Sequence, residues 1–295
     1  MCELDQFATG STSAWKLNRR QFAGMGAVGV GAGLAACAPI DSAGNIDPAA
    51  LVDGNVTFAA PGGTMDGYFV HPGSGRYPGV ILWPDIAGLR EAKRAMGRRL
   101  AQSGYSVFVA NPYYRSVAGE QFADFAAFRE GGGFQKVGPW MQANTPENIM
   151  ESARAVVAWL DGQPSVDTSR GIGTQGYCMT GSWTIMTGAA VPSRVKGMAS
   201  FHGGGLVGDA PTAAINLLDD LASDAEVLIA IAKNDDANAP DDKVALRAAA
   251  ERAAADIDVE VYQGDHGWTV YDSPAYMVSE AERGWLEMLE IYADM

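Results

Sequence analysis

Three short runs are apolar almost from end to end: Gly79–Trp83, Tyr105-Ser106-Val107-Phe108-Val109-Ala110 and Glu226–Ala232. A strand that shows one face to water alternates polar and apolar residues, so unbroken runs of this length read as strands buried on both faces. Such strands need helices on both sides. Helical periodicity is found between them, over residues 90–103 ending at Gly104, and over 146–160 with Pro146 near the first turn. Further helices are expected from about Gly181, over 241–255 and over 275–293. Residues 171–176, Val195–Phe201 and 259–262 add strands. Val56-Thr57-Phe58 and Gly67-Tyr68-Phe69-Val70 are short strand candidates separated by the turn residues Pro61-Gly62-Gly63. The alternation predicts an α/β fold with a mostly parallel central sheet and helices on both faces. With 295 residues, 47% of them hydrophobic, and no internal repeat, the sequence from residue 51 to 295 reads as one domain. Residues 115–145 are glycine-rich and aromatic and fit the alternation poorly; a lid or pocket wall is expected there.

The N-terminal segment has another character. Leu17-Asn18-Arg19-Arg20-Gln21-Phe22 sets an arginine pair before an aromatic residue, and an uncharged, glycine-rich run follows over residues 23–36. This run is shorter than the ~20 residues that a helix needs to cross a bilayer. A basic region, a short apolar region and small residues make an export signal over residues 1–36, and the arginine pair resembles a twin-arginine signal. A disordered basic tail is the plainer alternative. Leu34-Ala35-Ala36-Cys37 resembles a lipobox, in which Cys37 would carry lipid. Cleavage after Ala38 by an ordinary signal peptidase competes, although Pro39 disfavours it. The expected location is therefore periplasmic or cell-surface, anchored by lipid at Cys37 to a bacterial membrane, with residues 37–50 as a tether.

Net charge is -14, from 21 basic and 35 acidic side chains, and such a surface repels nucleic acid. His71, His202 and His266 are far apart and lack zinc-ligand spacing, so no metal site is expected. Of Cys2, Cys37 and Cys178, only Cys178 would remain as a free thiol after export and lipidation. Chance burial of a small apolar side chain is one account of it.

The surroundings of Cys178 suggest another. Sites in open parallel sheets form at the carboxyl ends of strands. Gly176-Tyr177-Cys178-Met179-Thr180-Gly181 lies between a strand and a helix and has the form of a nucleophile elbow with cysteine in place of serine. The helix N-terminus behind the thiol favours the thiolate, and the Met179 N–H points to where an oxyanion would form. Asp235 directly follows a buried strand, with Asp236 as its rival, and His266 follows the last strand. Nucleophile, acid and histidine in that order are an α/β-hydrolase arrangement. His202 also ends a strand, as pocket wall or core histidine, and His71 reads as structural.

At these residues the sequence resembles the dienelactone hydrolase family, over roughly residues 56–292. The Gly-Tyr-Cys elbow is the most specific mark. Ile81-Leu82-Trp83-Pro84-Asp85-Ile86-Ala87-Gly88-Leu89 resembles the family segment whose acidic residue contacts the resting thiol. The resemblance implies that contact for Asp85, where the family has the longer glutamate, and a second oxyanion N–H at Ile86. Asn111-Pro112-Tyr113-Tyr114-Arg115 resembles the segment that supplies a substrate-binding arginine. Arg115, His202 and Trp268 are thus the substrate-binding candidates. Thr180 stands where the family often has glycine, and no arginine closely follows His266 as it does in dienelactone-cleaving members. The implied chemistry is hydrolysis of a small ester or lactone through a Cys178 acyl-enzyme, with no cofactor. A lipid-anchored binding protein on a decayed hydrolase scaffold is the alternative. A thiol redox protein is weaker, since no second cysteine stands near Cys178.

Overall fold

The computed structural model describes residues 45–295, so the expected export signal and Cys37 lie outside the described residues. Eight strands form a single sheet: β1 (Leu51–Ala60), β2 (Gly63–Pro72), β3 (Gly79–Trp83), β4 (Ser106–Ala110), β5 (Ile172–Tyr177), β6 (Val195–Phe201), β7 (Glu226–Ala232) and β8 (Asp256–Tyr262). Their spatial order is β1-β2-β4-β3-β5-β6-β7-β8. β1 and β2 pair antiparallel, as do β2 and β4, and all later neighbours are parallel. The α/β fold with a mostly parallel sheet, expected from the alternation, is the one observed.

The hairpin is longer than the two short strand candidates implied. β1 is an edge strand whose residues are mostly exposed, and Asp53, Asn55 and Thr57 dilute its apolar character. Gly62 makes the turn at φ 84, a left-handed conformation that glycine adopts without a Cβ penalty. The preceding segment also differs from expectation. Ile46 is buried and its N–H bonds Gln102 O at 2.8 Å, and Asp47 caps a 3-10 turn at Pro48–Ala50. The end of the stretch read as tether is therefore docked on the domain.

Helices α1 (Glu91–Gln102), α2 (Phe125–Glu130), α3 (Gly133–Met141), α4 (Pro146–Asp161), α5 (Gly181–Ala190), α6 (Lys233–Asn238), α7 (Pro240–Ala250) and α8 (Val278–Ala293) complete the described elements. α4 begins as its sequence predicts: Thr145 accepts the N–H of Asn148 and Pro146 occupies the first turn. One face of the sheet packs Ile81, Trp83, Phe108 and Ile229 against α4, α5 and α7. The other packs Val80, Leu82, Val109 and Leu228 against α1 and α8. Burying such side chains contributes on the order of 1.5–3 kcal/mol each. α5 is buried on nearly every side, so it shows no amphipathic stripe.

β4 flanks β3 on one side and β5 flanks it on the other. The connections leaving β3 and β5 therefore diverge, which opens a crevice at their carboxyl ends. Residues 84–88 and 178–181 meet there. The stretch at 115–145 becomes α2 and α3, whose Phe128 and Val137 pack with Phe122 on Tyr113 and Ala87 beside this crevice.

Candidate active site

Cys178 has φ 55, a left-handed backbone that costs a non-glycine residue on the order of 1–3 kcal/mol. Its neighbours explain how the turn is held. A Cβ on Gly176 would lie 2.1 Å from Thr180 O, and one on Gly181 would lie 2.2 Å from the Gly203 Cα. The elbow can close only because these positions have no side chain. Thr180, the departure from the family pattern, has a structural task. Its Oγ1 accepts the Tyr177 N–H at 3.0 Å and donates to Trp83 O at 2.8 Å, tying the elbow to the end of β3. Cys178 itself is gripped twice from the loop after β6. Gly204 N–H bonds Cys178 O at 2.8 Å, and Cys178 N–H bonds His202 Nδ1 at 3.2 Å.

His266 and Asp235 come together across the ends of β8 and β7. His266 Nδ1 and Asp235 Oδ2 are 2.7 Å apart, and the His266 N–H bonds Asn234 Oδ1 at 2.8 Å. Asp236 turns the other way and pairs with Lys243 at 2.8 Å. Burial alone would lower the His266 pKa. The hydrogen bonds with Asp235 and Cys178 and the negative charges of both groups outweigh that and raise it to about 10. Cys178 is thus one of the two side chains that hold the proton on the ring. A cavity of about 280 Å³ opens at this point, with Gly203, Gly204, Leu206, Asp242, Asp235 and His266 in its wall.

The second side of the crevice is the turn after β3. Ala87 N–H bonds Asp85 Oδ1 at 3.0 Å and Gly88 N–H bonds Asp85 O at 2.8 Å. Among the described residues the Ile86 N–H has no hydrogen-bond acceptor. Tyr113, buried, donates from its hydroxyl to Ile86 O at 2.7 Å and lies 3.6 Å from Met179 Sδ. It therefore bridges the two residues expected to hold an oxyanion, and burial pushes its phenol pKa upward so that it stays protonated. Its place beside Arg115 in sequence gave no hint of this.

A sequence profile of the dienelactone hydrolase family matches residues 65–295. The chain belongs to that family. As a hydrolase of the dienelactone hydrolase type it is 27% identical over 250 residues to a provisionally named carboxymethylenebutenolidase from Salmonella typhi, covering 83% of this chain and 88% of that protein. A protein of the same provisional name from Escherichia coli K12 is 27% identical over 247 residues, covering 82% and 86% of the two chains. A crystal structure of a provisionally named dienelactone hydrolase from Klebsiella pneumoniae superposes with a TM-score of 0.69 at 25% identity, covering 83% of this chain and all of that one.

Within this family frame, three of the expected contacts differ. Asp85 does not spend its carboxylate on the thiol: every described bond goes elsewhere. It takes two hydrogen bonds from Arg90, at 2.7 and 3.0 Å, one from Ala87 N–H, and an ion pair with Lys93 at 3.0 Å. Both cations come from the adjoining turn and α1, and the shorter aspartate is held on their side. Arg90 in turn bonds both oxygens of Asp272, which also accepts the Phe125 N–H at the start of α2. Arg115 is used in the scaffold. It donates to Asn148 O and Ser152 Oγ on α4, lies over the Tyr114 ring and packs beneath Gly62. Trp268 is fully buried and stacks on Tyr262 with centroids 4.5 Å apart, so it is core and not a pocket wall. His202 is buried too, beneath the elbow. His71 bonds the Pro72 carbonyl and tilts against Phe69, away from the crevice.

Proposed function

We propose that this dienelactone hydrolase family member cleaves a small ester or lactone through a thioester on Cys178. The observation that carries this reading is the Asp235–His266 pair at 2.7 Å, whose imidazole is coupled in charge to the sulfur at the elbow. With Nδ1 donating to Asp235, Nε2 is the nitrogen left for the thiol, and a pKa raised to about 10 lets the ring hold the proton that it takes from the sulfur. The thiolate attacks the carbonyl carbon, and the N–H groups of Met179 and Ile86 receive the developing oxyanion. The tetrahedral species collapses, His266 protonates the leaving alkoxide, and an acyl thioester remains. His266 then deprotonates a water that attacks the thioester, which releases the acid and restores the thiol. When the substrate is a lactone, alkoxide and acyl group belong to one molecule.

A cavity of about 280 Å³ suits a small substrate. Arg115 is held in the scaffold, no arginine closely follows His266, and Lys243 in the cavity wall is paired with Asp236, so a neutral ester or lactone fits better than a dicarboxylate. Thr180 and Asp85, the departures that favour a decayed scaffold, each have a structural role, and the hydrolase reading is the one that the geometry supports best. A panel of activated esters and lactones tests it. The parent is expected to turn over at least one short-chain member, and Cys178→Ala none. Activity retained in Cys178→Ala would sink the reading.

For location we propose export and lipid anchoring at Cys37, on the strength of residues 17–37. In a bacterial host, Cys37→Ala is expected to move the protein from the membrane to the soluble fraction; an unchanged distribution would argue against the anchor.

A further inference from the structure

His202 takes no part in the proton transfers above, yet it is 1% exposed and has φ 40, a second left-handed non-glycine residue facing the first. Such a backbone persists only where its surroundings over-determine it. Both of its ring nitrogens are in use. An amide N–H can only donate, so the 3.2 Å contact with Cys178 N–H makes Nδ1 the acceptor and leaves the proton of the neutral ring on Nε2. That nitrogen donates to Thr269 Oγ1 at 2.9 Å. The tautomer is thereby fixed by one neighbour on each side. The main chain of His202 is fixed as well, its N–H bonding Ala230 O on β7 at 2.7 Å. Its ring packs against His266 with centroids 4.8 Å apart.

Resting on the reading of Cys178 as nucleophile, we propose that His202, oriented by Thr269, is a positioning residue for the elbow. It holds the peptide before Cys178 in the left-handed turn that brings the sulfur beside His266 and leaves the Met179 N–H for the oxyanion. Gly204, two residues on, holds the carbonyl side, so the loop after β6 sets both ends of the nucleophile residue. A ring that accepts from Cys178 must also be uncharged next to a histidine that holds its second proton as imidazolium. Burial, with the charges of His266 and Lys93, pushes the His202 pKa well below the usual histidine range and keeps it so.

The test uses Thr269→Val, which keeps the volume and removes the acceptor for Nε2, with Thr269→Ser as the conservative variant that retains it. With 4-nitrophenyl acetate, Thr269→Val is expected to lower kcat by about 10- to 100-fold with KM within about threefold, because small misplacements at a reacting centre cost rates of this order. Thr269→Ser is expected to restore kcat to within about threefold. In a His202→Asn background, where the Asn Oδ1 takes the place of Nδ1 and nothing reaches Thr269, the valine change is expected to add no further loss. Iodoacetamide alkylation of Cys178 reads the same geometry without a substrate, and its rate is expected to fall in Thr269→Val and recover in Thr269→Ser. If the parent hydrolyses no ester but alkylation follows this pattern, the hydrolase reading fails and the positioning role stands. If Thr269→Val leaves both kcat and alkylation at parent levels, or its loss is additive with His202→Asn, the positioning role is wrong.

Discussion

Asp235→Asn is expected to lower kcat by about 10³- to 10⁴-fold while leaving the fold intact. An amide in place of the carboxylate can present its NH₂ to Nδ1, which drives the ring proton to Nε2 and removes the base that faces the thiol. It also removes a negative charge that helps to raise the His266 pKa. Asp236→Asn serves as the paired control, because Asp236 faces Lys243, and is expected to stay within about threefold of the parent. Steady-state kinetics on both variants decide the assignment. A collapse in Asp236→Asn with Asp235→Asn near parent rates would reverse it.

The second large effect is expected in the buried charge network beneath the oxyanion turn. Asp85 is 4% exposed, and the Arg90 and Lys93 side chains paired with it are fully buried. Lys93 also lies 3.9 Å from the centre of the Tyr177 ring, next to the nucleophile. Asp85→Asn leaves the Lys93 ammonium without a counter-charge and is expected to cost about 3 kcal/mol or more, or roughly 6–12 °C in unfolding midpoint. Adding Lys93→Met is expected to return much of that loss, since replacing a whole buried pair by apolar packing is far milder than breaking it. The pH dependence follows from the direction of each shift. Burial opposes ionisation of Asp85, but Lys93 and Arg90 outweigh it and hold the carboxyl well below its ordinary value of 3.8. A depressed carboxylate stabilises the fold above its unfolded pKa and loses that contribution as pH falls through the folded one. The gap between parent and Asp85→Asn should therefore be full at pH 7 and narrow below about pH 4. Burial, partly offset by Asp85, pulls Lys93 down to about 8 from 10.5, so its own contribution improves as pH rises between those values. Denaturant unfolding across pH measures both. A constant gap down to pH 2 would show that Asp85 is not the group responsible.

The parallel core was legible because strands buried on both faces have nowhere to place polar residues, and the positions of Cys178, Asp235 and His266 follow from where those strands end. The edge hairpin was only partly legible, since β1 is solvated and its alternation is diluted. Side-chain direction was the main thing hidden. Trp268 follows His266 by two residues, yet its ring turns into space left by Gly264 and Gly284, whose added Cβ atoms would lie 2.6 and 2.9 Å from it. Arg115 sits in a segment that resembles a substrate-binding one, but the turn at Gly62 and the start of α4 claim its guanidinium. The tasks of Tyr113, His202 and Thr269 depend on contacts between residues 24 to 67 positions apart, which no local pattern encodes.

Intact-mass measurement of protein quenched during turnover of a short-chain activated ester tests the central claim most directly. The account predicts a mass increase of one acyl group less a hydrogen, localised to Cys178, discharged by hydroxylamine and missing in Cys178→Ala. Turnover with no adduct at any quench time, together with parent-like rates in Cys178→Ala, would contradict it.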